Sequence, residues 1–172
     1  LNKINVFPVP DGDTGTNLLF TLKPILNIQD SISNDVNAAL IQISDVAIDS
    51  ARGNSGTIMA QYFIGMAEKS SNITEINNKN IFDLLDGAYN AAKQSMAEPK
   101  EGTIITVMRD IATESKNHMD SNDIENTFKA IYKVSIESLN NTPEQMQILK
   151  DAGVVDAGAQ GFVDLIEGLY HY

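Results

Sequence analysis

Asn80-Ile81-Phe82-Asp83-Leu84-Leu85-Asp86-Gly87-Ala88-Tyr89-Asn90-Ala91-Ala92-Lys93-Gln94-Ser95-Met96 decides the fold class. Ile81, Leu84, Leu85, Ala88 and Ala92 recur three and four residues apart, which puts them on one face of a helix. The same spacing appears on both sides of this stretch. Upstream, Ser33-Asn34-Asp35 is an N-cap cluster, followed by Val36, Leu40, Ile43 and Ala47 on one face. Gly53-Asn54-Ser55-Gly56 reads as a break, residues 58–67 as a second apolar helix, and residues 72–80 as a polar loop. Residues 16–28 are mostly helix-compatible, with Pro24 expected to kink or end that helix. Downstream, residues 99–102 interrupt and residues 103–114 resume. Ser121 is expected to cap a helix that turns Ile124, Phe128, Ile131, Val134 and Leu139 inward. Thr142-Pro143-Glu144 starts a short helix, residues 151–158 form a glycine-bearing loop, and residues 159–170 close the chain. No stretch alternates with a period of two. The pattern predicts an all-α, up-down bundle of about seven or eight helices.

Composition narrows the function classes. At 172 residues, with 42% hydrophobic residues, the chain has the length and apolar content of one globular domain. No apolar run approaches the roughly 20 residues needed to cross a bilayer. Cysteine is absent, which excludes disulfides and thiolate metal sites and fits a reducing cytoplasm. The formal net charge is −11, and Arg52 and Arg109 are the only arginines. Such a chain repels nucleic acid, and no basic run offsets the charge. To bind an anion it needs metal ions, backbone N–H groups or helix N-termini. Leu1 lies only a few residues before the densest motif, and Glu167-Gly168-Leu169-Tyr170-His171-Tyr172 reads as a helix leaving the domain. Both ends lead us to expect a piece of a longer protein.

That densest motif is Asn5-Val6-Phe7-Pro8-Val9-Pro10-Asp11-Gly12-Asp13-Thr14-Gly15-Thr16-Asn17. Two prolines stiffen the approach, and Asp11 and Asp13 follow in a turn. Carboxylates two apart in a rigid non-helical turn can face one hard cation, and oxygen ligands suit magnesium. Thr14, Gly15, Thr16 and Asn17 then open a helix whose N–H groups and dipole favour phosphate. The competing readings are a calcium loop or a plain Asp-Gly turn. A calcium loop would continue with alternating acids and a final glutamate, where this chain has Phe20 and Leu22.

Three further segments hold glycine and polar residues together. Ala51-Arg52-Gly53-Asn54-Ser55-Gly56 could meet phosphate or a base edge, or simply be a C-cap followed by an N-cap. Arg52 could aid phosphate transfer or complement the preceding helix's C-terminus. Glu98-Pro99-Lys100-Glu101-Gly102-Thr103 is a site element or plain punctuation. Gly153-Val154-Val155-Asp156-Ala157-Gly158-Ala159-Gln160-Gly161 allows close backbone approach, or lets Asp156 cap the last helix. His118 and His171 have no triad or metal partner nearby in sequence, which argues against a histidine-based hydrolase. No Gly-x-x-x-x-Gly-Lys-Ser/Thr loop is present.

These four segments, in this order, resemble the nucleotide-binding domain of the dihydroxyacetone kinase L-subunit family, and within it the fatty acid kinase branch. The resemblance rests on residues 5–17, 51–56, 101–107 and 154–158, and it covers essentially the whole chain as one ATP-binding domain. It implies an antiparallel helical barrel with ATP and two magnesium ions at one end. Asp11 and Asp13 inherit the catalytic metal-ligand role. Asn5 stands near the position where dihydroxyacetone kinases carry a third aspartate. Thr14 stands where they often carry histidine, and both departures favour the fatty acid kinase branch.

By the same transfer Thr14, Thr16 and Asn17, with the Gly15 backbone, contact phosphates. Asn54, Ser55 and Gly56 meet phosphate or nucleoside, while Gly102, Thr103 and their apolar neighbours line the adenine pocket. Asp156 and Gly158 close over the sugar or phosphates. A family barrel begins with a helix upstream of the metal loop, and its absence here implies one exposed flank. The implied reaction transfers the ATP γ-phosphoryl group to a fatty acid carboxylate presented by a lipid-carrying partner protein, leaving ADP and an acyl phosphate. A homodimer through outlying regions belongs to the same expectation. The alternatives are a dihydroxyacetone kinase subunit and a non-catalytic nucleotide-binding regulatory module.

Overall fold

The computed structural model describes residues 1–172, and all its regular structure is helical. A 3₁₀ turn at Asn2–Ile4 precedes α1 (Thr14–Leu26), and a second at Gln29–Ser31 precedes α2 (Val36–Ser50). Then come α3 (Gly53–Lys69), α4 (Asn78–Gln94), α5 (Ile104–Asn117) and α6 (Ile124–Asn140). The short α7 (Thr142–Gln145) and α8 (Gln147–Ala152) lead into α9 (Ala157–Tyr170).

Short connections make consecutive long helices antiparallel neighbours. Packing runs from α2 to α3, α4, α5 and α6 in turn, then to α9, which returns against α1. The ring is an up-down helical barrel: the periodicity implied the all-α bundle, and the family resemblance its barrel form. Its centre is filled by Met59 and Tyr62 of α3, Met108 and Ile111 of α5, Ile131 of α6 and Phe162 of α9. The rings of Tyr62 and Phe162 meet edge to face at 5.0 Å. Gly65 of α3 faces Gly87 of α4, and a Cβ at Gly65 would overlap the Gly87 carbonyl oxygen. Two glycines therefore let these backbones cross in near contact.

Several element ends differ from expectation. Gly53-Asn54-Ser55-Gly56 is the first turn of α3, and only Ala51 and Arg52 separate it from α2. Pro24 sits in the last turn of α1, which ends two residues later. A proline that late removes only a ladder bond beside the terminus. Asp123, not Ser121, caps α6 by accepting from Asn126 N–H at 2.9 Å, while Ser121 Oγ accepts from Asp123 N–H at 3.0 Å. α7 and α8 occupy the stretch expected to hold one short helix and a loop, which raises the helix count to nine. α1 turns Leu19, Phe20 and Leu26 to solvent at 60%, 61% and 65% exposure.

The helix starts divide by end of the barrel. α2, α4 and α6 begin at one end, each with an Asx side chain on its first turn: Asp35, Asn77 and Asp123. α1, α3, α5 and α9 begin at the other end, where the candidate site lies.

Candidate active site

Four chain segments separated widely in sequence meet at the start of these odd-numbered helices. They enclose a cleft of about 590 Å³ lined by residues of the acidic loop, the α3 start, the α4–α5 connection and the α9 start. Asp11, Asp13 and Asn5 lie on one side, and Ile58, Met96 and Ile104 supply apolar wall.

The acidic loop is braced by two carboxamides. Asn5 is buried and donates from Nδ2 to Asp11 Oδ1 at 2.7 Å. Asn2 Oδ1 accepts from Gly15 N–H at 2.7 Å and Thr16 N–H at 3.2 Å, while Asn2 Nδ2 donates to Thr16 Oγ1 at 2.9 Å. The first turn of α1 is thus capped by a residue twelve or more positions upstream. Asp13, at the N-cap position, makes no side-chain cap and is left to face the cleft. The Phe7–Pro8 peptide bond is cis.

The start of α3 differs from every capped helix. Arg52 occupies its N-cap position without capping, and no group of the chain accepts from the N–H of Gly53, Asn54 or Ser55. Gly53 has φ +59, and a Cβ there would overlap the Asn17 amide. That positive φ and close approach require glycine, and they join the α3 start to α1. Asn54 is exposed toward the cleft, and Ser55 lines it beside Thr14.

Asp156 ties the remaining two segments together. Its Oδ1 accepts from Ile104 N–H at 3.1 Å and from Ala159 N–H at 2.8 Å, so one carboxylate caps α5 and α9. Burial pushes its pKa up to about 6, although N–H donation from Ala159, Ile104 and Gly158 opposes the rise. Thr103 Oγ1 donates to Lys100 O at 2.7 Å, folding the α4–α5 connection over the cleft. Behind it, Glu101 Oε2 accepts from Thr106 Oγ1 at 2.7 Å and Arg109 at 2.6 Å. Burial tends to raise the Glu101 pKa, but these hydrogen bonds and the nearby Arg109 and Lys93 charges leave it lowered overall.

Of the residues singled out in the sequence, Asn5, Asp11, Asp13, Thr14, Asn17, Asn54, Ser55, Thr103, Asp156 and Gly158 line the cleft. Five do not. Thr16 and Gly15 sit outside it, engaged by Asn2. Gly56 is buried against Thr21, and Gly102 packs behind the wall against Thr142 and Gln145. Arg52 is exposed and donates to the Ala51 carbonyl at 2.8 Å, off the cleft. Sequence reasoning missed Met96 as a wall residue and Lys100 as the one lysine on the lining. Lys100 stood within a segment read as punctuation, and nothing local marked its side chain. His118 pairs with Glu114 and His171 packs on Tyr132 and Tyr170, so neither histidine lines the cleft.

A profile of the DAK2 domain, the nucleotide-binding module of the dihydroxyacetone kinase L-subunit, matches residues 8–171. The chain belongs to this family. An uncharacterised protein of Mycoplasma genitalium is 35% identical over 182 residues, covering 100% of this chain and 32% of the relative. Uncharacterised proteins of Staphylococcus aureus and Staphylococcus epidermidis are 34% and 32% identical over 170 residues, each covering 98% of this chain and 31% of the relative. This DAK2 domain therefore spans about a third of the length of these curated relatives. No helix in it is long and apolar enough to cross a membrane.

Family membership makes this chain a dihydroxyacetone kinase-like nucleotide-binding module. Its donor set suits a metal that arrives with its nucleotide. No three His, Asp or Glu side chains gather as a self-sufficient metal cage. Magnesium rarely uses one; it takes one or two carboxylates, waters and the substrate's phosphates. Asp11 and Asp13 supply that number, and the open N–H groups of α3 suit a phosphate across the same cleft.

Proposed function

We propose that this domain binds ATP with magnesium and serves a kinase that phosphorylates a fatty acid carboxylate carried by a partner protein. The observation that supports this most is the meeting of Asp11 and Asp13 with the unbonded N–H groups of α3 in one partly apolar cleft. Asp11, Asp13 and, through its carbonyl oxygen, Asn5 would hold up to two magnesium ions, which when bound offset charge on the phosphates. Asn54 and Ser55 orient the phosphate chain by side chain and backbone, and Thr14 and Asn17 border them. Ile58, Met96 and Ile104 suit the adenine face, with Thr103 beside them.

The lack of a histidine on the lining supports a carboxylate acceptor. A hydroxyl acceptor needs a group to take its proton, whereas a carboxylate is already a nucleophile. No histidine lines the cleft, and Thr14 occupies the position after Asp13. Asp156 has a raised pKa, but its Oδ1 already serves two helix starts. The carboxylate oxygen forms a bond to the γ-phosphorus as the bond to the β–γ bridging oxygen breaks. ADP carries away the electron pair, and an acyl phosphate remains.

Calorimetry with ATP tests the nucleotide reading. The parent should bind in magnesium and bind far more weakly in EDTA, and Asp11→Ala and Asp13→Ala should each lose the metal-dependent part while staying folded. Parental affinity in both variants would refute the metal assignment. Turnover of ATP by the full-length protein, dependent on a fatty acid-loaded carrier, tests the acceptor. Turnover with a small ketose instead would assign the dihydroxyacetone kinase chemistry.

A further inference from the structure

We propose that Asn2 is a positioning residue for the acidic loop, setting Asp11 and Asp13 for a divalent cation without touching it. This deepens the nucleotide-binding reading above and rests on it. Asn2 opens a 3₁₀ turn that carries the chain to Asn5. Asn5 follows that turn in extended backbone and is buried, while Asn2 is exposed. They grip the loop at two points. Asn5 holds the Asp11 carboxylate directly, while Asn2 closes on the first turn of α1 through three hydrogen bonds of 2.7, 2.9 and 3.2 Å.

The contacts of Asn2 fall on both sides of Asp13. A Cβ on Gly15 would lie 2.8 Å from Asn2 Oδ1, and one on Gly12 would lie 3.5 Å from the Asn2 carbonyl oxygen. Glycine at position 15 is therefore what admits the clasp. Asp13 sits between these points as the N-cap residue of α1, yet its side chain caps nothing. Asp and Asn at that position normally accept from the N2 or N3 N–H. Those two donors, Gly15 and Thr16, are already taken by Asn2. By occupying them, Asn2 frees the Asp13 carboxylate from capping and leaves it on the cleft lining. Remove the Asn2 amide, and Asp13 becomes the nearest acceptor for its own helix start, turned from the metal it should bind.

The exchange is testable by ATP calorimetry on the parent, Asn2→Ala and Asn2→Asp, each in magnesium and in EDTA. Groups that orient a metal ligand typically contribute ten- to a hundredfold in affinity. Asn2→Ala should weaken ATP binding in magnesium about tenfold and leave the residual affinity in EDTA unchanged. Asn2→Asp keeps an acceptor for the Gly15 and Thr16 N–H groups and should restore most of the loss. Amide exchange at Gly15 and Thr16 should stay slow in Asn2→Ala, because Asp13 takes over the cap. Unchanged magnesium-dependent affinity in Asn2→Ala would overturn the proposal, and so would an equal loss in EDTA or a failure of Asn2→Asp to restore binding. A parent without magnesium-dependent ATP binding would overturn the nucleotide reading along with it.

Discussion

Asp156 is held by donors 52 residues upstream and three residues downstream, Ile104 N–H and Ala159 N–H. Its role as a double cap was half visible in the sequence. The glycine-bearing loop before a helix suggested an N-cap, but the second donor lies across the fold, beyond any local pattern. Its titration carries a consequence. The folded carboxyl is raised to about 6, while an aspartate in the unfolded chain releases its proton near 3.9. Between those values the folded chain keeps a proton that the unfolded chain has lost. Stability from this group is therefore complete below about pH 4 and fades as pH rises through about 6. Two pKa units correspond to about 3 kcal/mol. Denaturant titrations from pH 4 to 7 on the parent and Asp156→Asn should show the parent's relative stability falling by about that amount. Parallel curves would show that Asp156 is ionised throughout.

Helix starts show how unequal the two ends of the barrel are. At the far end, Asp35, Asn77 and Asp123 each close their own first turn. At the cleft end α1 borrows Asn2, α5 shares Asp156 with α9, and α3 has no side-chain cap. Of the far-end caps only Asp35, in an Asx cluster ahead of an apolar period, is legible; the local signal points to Ser121 where Asp123 serves, and Asn77 falls in a stretch that reads as loop. The start of α3 was misread as a break, because two glycines around Asn54-Ser55 look like punctuation until α1 packs beside them. Likewise Gly65 and Gly87 carry no mark in sequence, since their purpose is the close crossing of two helices. The contrast between ends gives a separable prediction. Asp123→Ala should lower stability by about 1 kcal/mol, the usual cost of losing an N-cap, in a denaturant melt. It should leave the calorimetric affinity for magnesium ATP unchanged, because α6 begins away from the cleft. A change in affinity beyond twofold would mean that the far end is coupled to the site.

Across the whole molecule, charge decides how an anion can enter. At a formal net charge of −11 the chain repels a free nucleotide over the length scale of salt screening. The cleft lining offers one lysine against Asp11, Asp13, Glu98 and Asp156. Lys100 is itself drawn to Glu98 at 3.1 Å, with both side chains more than half exposed, so that pair adds little. Fixed cations therefore cannot balance a triphosphate here, so the proposed nucleotide would need a divalent ion with it. A ligand that binds only the folded state at a hundred times its Kd stabilises by about 2.7 kcal/mol. For a chain of this size that is a rise in Tm of roughly 5–10 °C. ATP with magnesium should give such a shift. ATP in EDTA should give at most a small one, and raising salt there should enlarge it by screening the like charges. Equal shifts with and without the metal would mean that the N–H groups of α3 alone overcome the repulsion, and that Asp11 and Asp13 serve some other end.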